Sequence, residues 1–158
     1  MEIPLPQAGG CQCGHVRYLL EAQPVTAYAC HCTQCQKQSG SAFGLSLIVP
    51  FAGLRITQGE VKVWRRQVNA ERFTDCGFCP DCGSRLYHRP MEGPVASLKP
   101  GTLDDRSWLQ PVGHIFVDTA QDWTRPLRES DGLCEADRPT DFAALAAAWA
   151  ALPSPQSN

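Results

Sequence analysis

The cysteines of this 158-residue chain are concentrated in three short clusters. Eight of the nine occur at Cys11 and Cys13, at Cys30, Cys32 and Cys35, and at Cys76, Cys79 and Cys82. Thiolates spaced by one or two residues form the local half of a zinc site, and eight are too many for one tetrahedral ion. The sequence therefore predicts two zinc ions per chain. If one site takes four sulfur ligands and closes, the remaining cluster is left with three and an open coordination position, where chemistry can occur.

Length and charge limit the classes of protein to consider. The chain is long enough for one domain with its own core. Charged residues make up 19% and the net charge is −2, which indicates neither nucleic-acid binding nor attraction to an anionic membrane. No apolar run approaches the ~20 residues that span a bilayer, and the first ten residues lack the features of a secretory signal. We expect a cytoplasmic protein, in which thiols stay reduced and bind metal rather than form disulfides.

Short strands are predicted up to about residue 118. The thirteen glycines and thirteen prolines indicate many turns. Alternating or short apolar runs predict strands within 15–21, 46–50, 95–99 and 113–118. Residues 54–57 and 60–65 are joined by Gln58-Gly59, and we expect these two strands to form a hairpin.

The end of the chain has a different pattern. In TDFAALAAAWAAL (140–152), Phe142, Leu145 and Trp149 recur at helical spacing, and Thr140 or Asp141 can cap the helix. A helix of this length is only marginally stable by itself. We therefore expect its apolar stripe to dock on the β body or on a second copy of the chain in a homodimer. We predict one mainly β domain, organised as an N-terminal extension 1–8, a zinc-binding domain 9–127, a linker and C-terminal helix 128–152, and a disordered tail 153–158.

The backbone around the clusters suits metal binding. A C-x-C pair needs a turn at the metal, and Gly14 follows Cys13 directly. In CPDCG, Pro80 opens the turn and Gly83 permits a left-handed residue, as in a zinc knuckle. The three sulfurs of ACHCTQC can grip one ion by themselves, which leaves a fourth position for water, substrate, His31 or Cys76. Alternatively, a distant residue closes this site and makes it purely structural.

The order and spacing of these motifs resemble a known family. CQCGHVRY, ACHCTQCQKQSGSAF, FCPDCGSRLY and GHIFVDTAQDW resemble the glutathione-dependent formaldehyde-activating enzymes, a family that includes centromere protein V-like domains. The resemblance covers roughly residues 9–127 and implies a β-tent fold with two zinc ions. It also implies a closed structural site and a catalytic site, with the ligands Cys11, Cys13, Cys79 and Cys82 in the first and Cys30, Cys32 and Cys35 in the second.

The resemblance implies a carbon–sulfur lyase that joins glutathione, or a similar small thiol, to formaldehyde or a related electrophile, or catalyses the reverse. A three-thiolate zinc would suit this chemistry because a coordinated thiol loses its proton and becomes nucleophilic. The alternative is a non-catalytic zinc-stabilised module that binds another protein. Candidates for contacting carboxylates of a thiol substrate are Lys37, Arg65, Arg66 and Arg72.

Two positions depart from the family pattern. Gln36 stands where an arginine is common after the third cysteine of the catalytic cluster. Cys76 is an additional cysteine, for which we weigh a role as spare ligand against simple burial. His114 lies on a predicted strand, where it is a candidate proton carrier or an ordinary core histidine.

Overall fold

The computed structural model describes residues 1–91, 93–131, 134–136 and 142–155. Within these residues the strands are β1 (Gln7–Gly10), β2 (Arg17–Leu20), β3 (Thr26–Cys30), β4 (Gly44–Pro50), β5 (Leu54–Gln58), β6 (Lys62–Gln67), β7 (Phe73–Phe78), β8 (Arg85–Pro90), β9 (Val95–Leu98), β10 (Gly113–Ile115) and β11 (Cys134–Ala136). The helices are α1 (Thr33–Ser39), α2 (Arg125–Asp131) and α3 (Ala143–Ala151). The predicted mainly β fold with a C-terminal helix is confirmed. None of the described helices has the length and apolar character needed to cross a membrane.

The strands form two sheets. The smaller sheet has the order β1-β2-β5 and is antiparallel. The larger sheet has the order β11-β10-β3-β4-β9-β8-β7-β6. Strand β10 runs parallel to both β3 and β11, whereas the remaining neighbours in this sheet are antiparallel. The end of β3, where Cys30 lies, is therefore flanked by strands on both sides.

The expected hairpin between residues 54–57 and 60–65 is wrong, although both strands exist. Strand β5 pairs with β2 in the small sheet, and β6 pairs with β7 in the large sheet. The chain changes direction at Gly59, whose φ is 71°. A Cβ at this position would lie 2.3 Å from the carbonyl oxygen of His15, so the glycine lets the chain pass against the start of β2. The local turn signal was correct, but the pairing partners are distant in sequence.

The C-terminal helix docks on strand β3 of the same chain. Leu145 and Trp149 are buried, and the Thr26 hydroxyl donates a hydrogen bond of 2.9 Å to the Leu145 carbonyl. Just before the helix, the Phe142 ring stacks on Tyr28 with the ring centroids 5.5 Å apart. The apolar stripe therefore packs on the chain's own β body. The two predicted capping residues, Thr140 and Asp141, lie outside the described residues.

The core joins both sheets to the cysteine clusters. Its fully buried members include Val16, Tyr18 and Leu20 from the region of β2 and Leu47 and Leu98 from the large sheet. The same cluster of packed side chains contains Cys11, Cys30, Cys35 and Cys79. Because close-packed interiors allow little relative movement, the core fixes the positions of these cysteines.

Removing the Trp149 side chain should destabilise the protein strongly. We expect Trp149→Ala to lower the free energy of unfolding by about 3–5 kcal/mol, because it leaves a large cavity between α3 and β3. The measurement is urea unfolding followed by circular dichroism. The control is Ala147→Ser on the exposed face of the same helix, which should change the free energy of unfolding by less than about 0.5 kcal/mol. Equal effects of the two substitutions would contradict the docking of α3.

Candidate metal centres

Four cysteines from distant parts of the chain converge at one point. The Sγ atoms of Cys11, Cys13, Cys79 and Cys82 all lie within 4.8 Å of one another. The Cys11 and Cys13 sulfurs are 3.5 Å apart, and the Cys13 and Cys79 sulfurs are 3.8 Å apart. Tetrahedral Zn–S bonds of about 2.3 Å place sulfur atoms about 3.8 Å apart. This four-cysteine group therefore has the spacing of a zinc site with a complete set of ligands.

Two glycine turns build the four-cysteine group. Gly14 has a φ of 79° and its N–H donates to the Cys11 carbonyl at 3.1 Å. Gly83 has a φ of 74° and its N–H donates to the Cys79 carbonyl at 3.0 Å. Residues with a side chain rarely adopt this left-handed conformation, so both glycines serve the turn. Each predicted turn is present, one after β1 and the other between β7 and β8.

Hydrogen bonds favour the thiolate form at Cys11 and Cys82 of the four-cysteine group. The Val16 N–H donates to the Cys11 sulfur at 3.2 Å. The hydroxyl of Ser84 lies 3.1 Å from the Cys82 sulfur, and this hydroxyl, together with the Ser84 N–H, lowers the pKa of Cys82 to about 5. A metal ligand must be deprotonated, so these contacts suit metal binding.

The second group consists of Cys30, Cys32 and Cys35, whose sulfurs also lie within 4.8 Å of one another. Cys30 is the last residue of β3, Cys32 caps the N-terminus of α1, and Cys35 lies in its first turn. The Cys35 N–H donates to the Cys32 sulfur at 3.4 Å. Gly44 on β4 lets the helix approach, since a Cβ there would lie 3.3 Å from the Cys35 Cβ. The strand end and the helix start thus create the three-cysteine group.

The three thiols of this group share charge unequally. Hydrogen bonds from Cys30 and then Cys35, helped by backbone N–H groups, lower the pKa of Cys32. The pKa of Cys30 is raised, first by its hydrogen bond with Cys32, then by its hydrogen bond with Cys35 and by burial. Without a cation, hydrogen bonds from the other two thiols favour the thiolate form at Cys32 over that at Cys30. Binding all three as thiolates requires a positive ion among them.

Within the described ranges, the three-cysteine group has only its three sulfur ligands. Among the described residues, no His, Asp, Glu or further Cys places a ligand atom within 4.8 Å of all three sulfurs. His31 points instead to His114, with its Nε2 2.9 Å from the His114 Nδ1. Cys76 is buried, and its thiol donates to the Thr74 carbonyl at 3.7 Å. Neither of the two residues considered for the fourth position therefore belongs to the group.

The Gln36 side chain links helix α1 to two neighbouring backbone segments. Its side-chain amide donates to the His31 carbonyl at 2.7 Å and to the Thr119 carbonyl at 2.9 Å. The first bond ends at the residue between Cys30 and Cys32, and the second ends in the segment after β10. Gln36 thus ties α1 to the edge of the site.

A cavity of about 760 Å³ adjoins the three-cysteine group, and Cys30, Cys32 and Cys35 form part of its wall. Aromatic rings of Tyr28, Trp64, Phe116 and Phe142 line other parts, together with the polar or charged side chains of Lys37, Arg66, Arg85 and His88. The buried Lys99 lies close enough to Cys35 and Cys30 to interact with them electrostatically. A second cavity, of about 390 Å³, borders Cys11 and is lined by Arg17 and Asp104, which pair with each other.

Of the four basic residues predicted to contact substrate carboxylates, two line the cavity and two do not. Lys37 and Arg66 line the cavity, but Arg65 pairs with Asp75 at 2.7 Å and Arg72 does not line it. Sequence reasoning missed Arg85 and His88, because β8 was not predicted as a strand beside the clusters. It also missed that Phe142 forms part of the cavity wall. The position of RLYHRP directly after CPDCGS was the available signal for both missed residues on β8.

Comparison with known proteins supports the family relationship that the cysteine motifs indicate. The profile of the glutathione-dependent formaldehyde-activating enzyme family matches residues 6–119. A protein of Penicillium rubens, provisionally named as such an enzyme, is 28% identical over 71% of this chain and 62% of its own length. A protein of Colletotrichum graminicola with the same provisional name is 25% identical over 69% of this chain and 58% of its own. The chain thus matches about three fifths of each relative.

A crystal structure of a Rhodobacter sphaeroides protein has the same fold, with a TM-score of 0.52 and 18% identity. The match covers 82% of this chain and 98% of that one. The family profile spans more than two thirds of the sequence, including every residue of both cysteine groups. The chain therefore belongs to the glutathione-dependent formaldehyde-activating enzyme family.

Proposed function

We propose that the protein is a zinc-dependent carbon–sulfur lyase, which adds a small thiol such as glutathione to formaldehyde or a related aldehyde, or catalyses the reverse. The observation that carries this proposal is the three-cysteine group, which forms part of the wall of a cavity of about 760 Å³. The four-cysteine group already offers four sulfur ligands, whereas the three-cysteine group could take a further ligand from this cavity. The family relationship and the names of the two relatives support the same substrates.

The two cysteine groups would hold one zinc ion each. The sulfur spacing of the four-cysteine group fits a closed structural site, with Cys11, Cys13, Cys79 and Cys82 as ligands. The three-cysteine group offers sulfur donors at the same spacing and leaves one position for a ligand from the cavity. When bound there, zinc would stabilise an incoming thiol in its thiolate form.

The reaction needs no oxidant or reductant. The sulfur of the thiol forms a bond to the carbonyl carbon, and the carbonyl π electrons move to the oxygen. That oxygen gains a proton to replace the one that the thiol has lost, so the product is a hemithioacetal, in which the sulfur carries a hydroxyalkyl group. The buried side chain of Tyr28 lines the same cavity and would limit the access of water to this part of its wall, which strengthens electrostatic interactions there.

Loss of a ligand from the four-cysteine group should cost metal and stability together. We expect Cys82→Ser to bind about one zinc ion fewer per chain, because the pair of sulfurs between β7 and β8 is then reduced to Cys79 alone. If the free energy of unfolding falls by about 3 kcal/mol, the Tm falls by roughly 10 °C. The measurements are metal analysis by mass spectrometry and thermal unfolding. Cys76→Ala, at a buried cysteine outside both groups, should retain the full metal content. Equal zinc loss in both variants would refute the assignment.

Loss of a ligand from the three-cysteine group should abolish activity while the fold persists. We expect Cys35→Ser to reduce the exchange of formaldehyde with glutathione to the spontaneous rate, because the remaining two sulfurs no longer hold the thiol-activating ion. Exchange spectroscopy by NMR measures this rate, and circular dichroism checks the fold. Full activity of Cys35→Ser would contradict the assignment of the three-cysteine group as the catalytic site. A wild-type protein without any activity towards small thiols and aldehydes would favour the alternative of a non-catalytic binding module.

A further inference from the structure

The cavity beside the three-cysteine group carries positive charge. Lys37, Arg66 and Arg85 line it, and none of its lining residues that the structure describes is an aspartate or glutamate. Three thiolates and one zinc ion would have a net charge of −1. By itself this centre would attract cationic thiols, so the cations of the wall change which substrates the cavity favours.

Arg66 is separated from its neighbour by the alternation of the strand. Arg65 and Arg66 are adjacent on β6, so their side chains point to opposite faces of the sheet. The Arg65 guanidinium pairs with both oxygens of Asp75, at 2.7 and 3.1 Å. Arg66 lines the cavity, and within the described ranges no carboxylate forms an ion pair with it. Arg66 is therefore available to an anionic ligand.

Arg85 reaches the cavity because its strand is irregular. In a regular strand, Arg85 and His88 would lie on opposite faces, since they are three residues apart. The register between β7 and β8 shifts between Gly77 and Phe78, and Phe78 pairs with Arg85. Such a bulge redirects a side chain, and both residues consequently line the cavity. The Nε of Arg85 is buried without a hydrogen-bond partner in the part of the chain that the structure describes.

The electrostatics at His88 show that the positive charges converge. Burial first, and then the charges of Lys99, Arg85 and Arg66, lower the pKa of His88 to about 3. The two guanidinium groups therefore act on the same region of the cavity. A carboxylate placed there would be stabilised by the positive charge that disfavours protonation of His88.

We propose that Arg66 and Arg85 bind a carboxylate of the thiol substrate and so make the site selective for anionic thiols. This inference rests on the proposed function and assigns specificity residues to it. Guanidinium groups suit the task because they stay charged and present paired donors that match a carboxylate. The thiol of the same molecule would face the three-cysteine group, while the carboxylate end lies against β6 and β8.

Binding of S-methylglutathione, which has carboxylates but no free thiol, tests this assignment without relying on activity. Isothermal titration calorimetry of the zinc-loaded protein should show at least tenfold weaker binding for Arg66→Gln and for Arg85→Gln. Arg65→Gln is the matched control on the opposite face, and its affinity should stay within twofold of the wild type. Arg85→Lys should recover part of the loss because it restores the charge without the paired donors.

Activity with thiols of different charge gives a second readout. We expect kcat/KM for 3-mercaptopropionate, which is anionic, to fall at least tenfold more than that for neutral 2-mercaptoethanol in Arg66→Gln. The inference is overturned if S-methylglutathione fails to bind the wild type, or if it binds Arg66→Gln and Arg85→Gln as tightly as the wild type. If it binds in an arginine-dependent way but no thiol reacts with aldehydes, the anion site stands and the proposed function fails. If Arg85→Gln does not fold, Arg66→Gln and Arg85→Lys decide.

Discussion

The convergence of four sulfurs is the constraint on which the arrangement of the two sheets depends. Cys11 and Cys13 follow the last residue of β1 in the small sheet, whereas Cys79 and Cys82 lie between β7 and β8 of the large sheet. A metal ion in this group would therefore link the two sheets across nearly seventy residues of sequence. Its binding free energy would contribute directly to folding, as it does in other structural zinc sites.

The second group differs because it is local. Its three sulfurs come from the end of β3 and the first turn of α1, so it forms without help from a distant segment. What is distant is the cavity wall, to which β6, β8 and the residue before α3 all contribute. In the proposed reaction, the chemistry of the reacting atoms and the recognition of the rest of the substrate would thus depend on different parts of the fold.

Much of this organisation could be predicted from the sequence, because short cysteine spacings and glycine turns are local signals. Gly14 and Gly83 adopt the left-handed conformations that the turns require. The pairing of β5 and β6 was not predictable in this way, since a turn does not identify the partner of each strand. The bulge that directs Arg85 into the cavity was also invisible, because it arises from a shift of register between two strands.

The stacking of Phe142 on Tyr28 places part of the cavity wall outside the region that defines the family, which ends at residue 119. Relatives with different C-terminal segments would keep the same sulfur chemistry behind a differently shaped opening. Exchange of this terminal segment between homologues would accordingly change the size of the substrate that the proposed site accepts, without any change in the residues proposed to hold the ions.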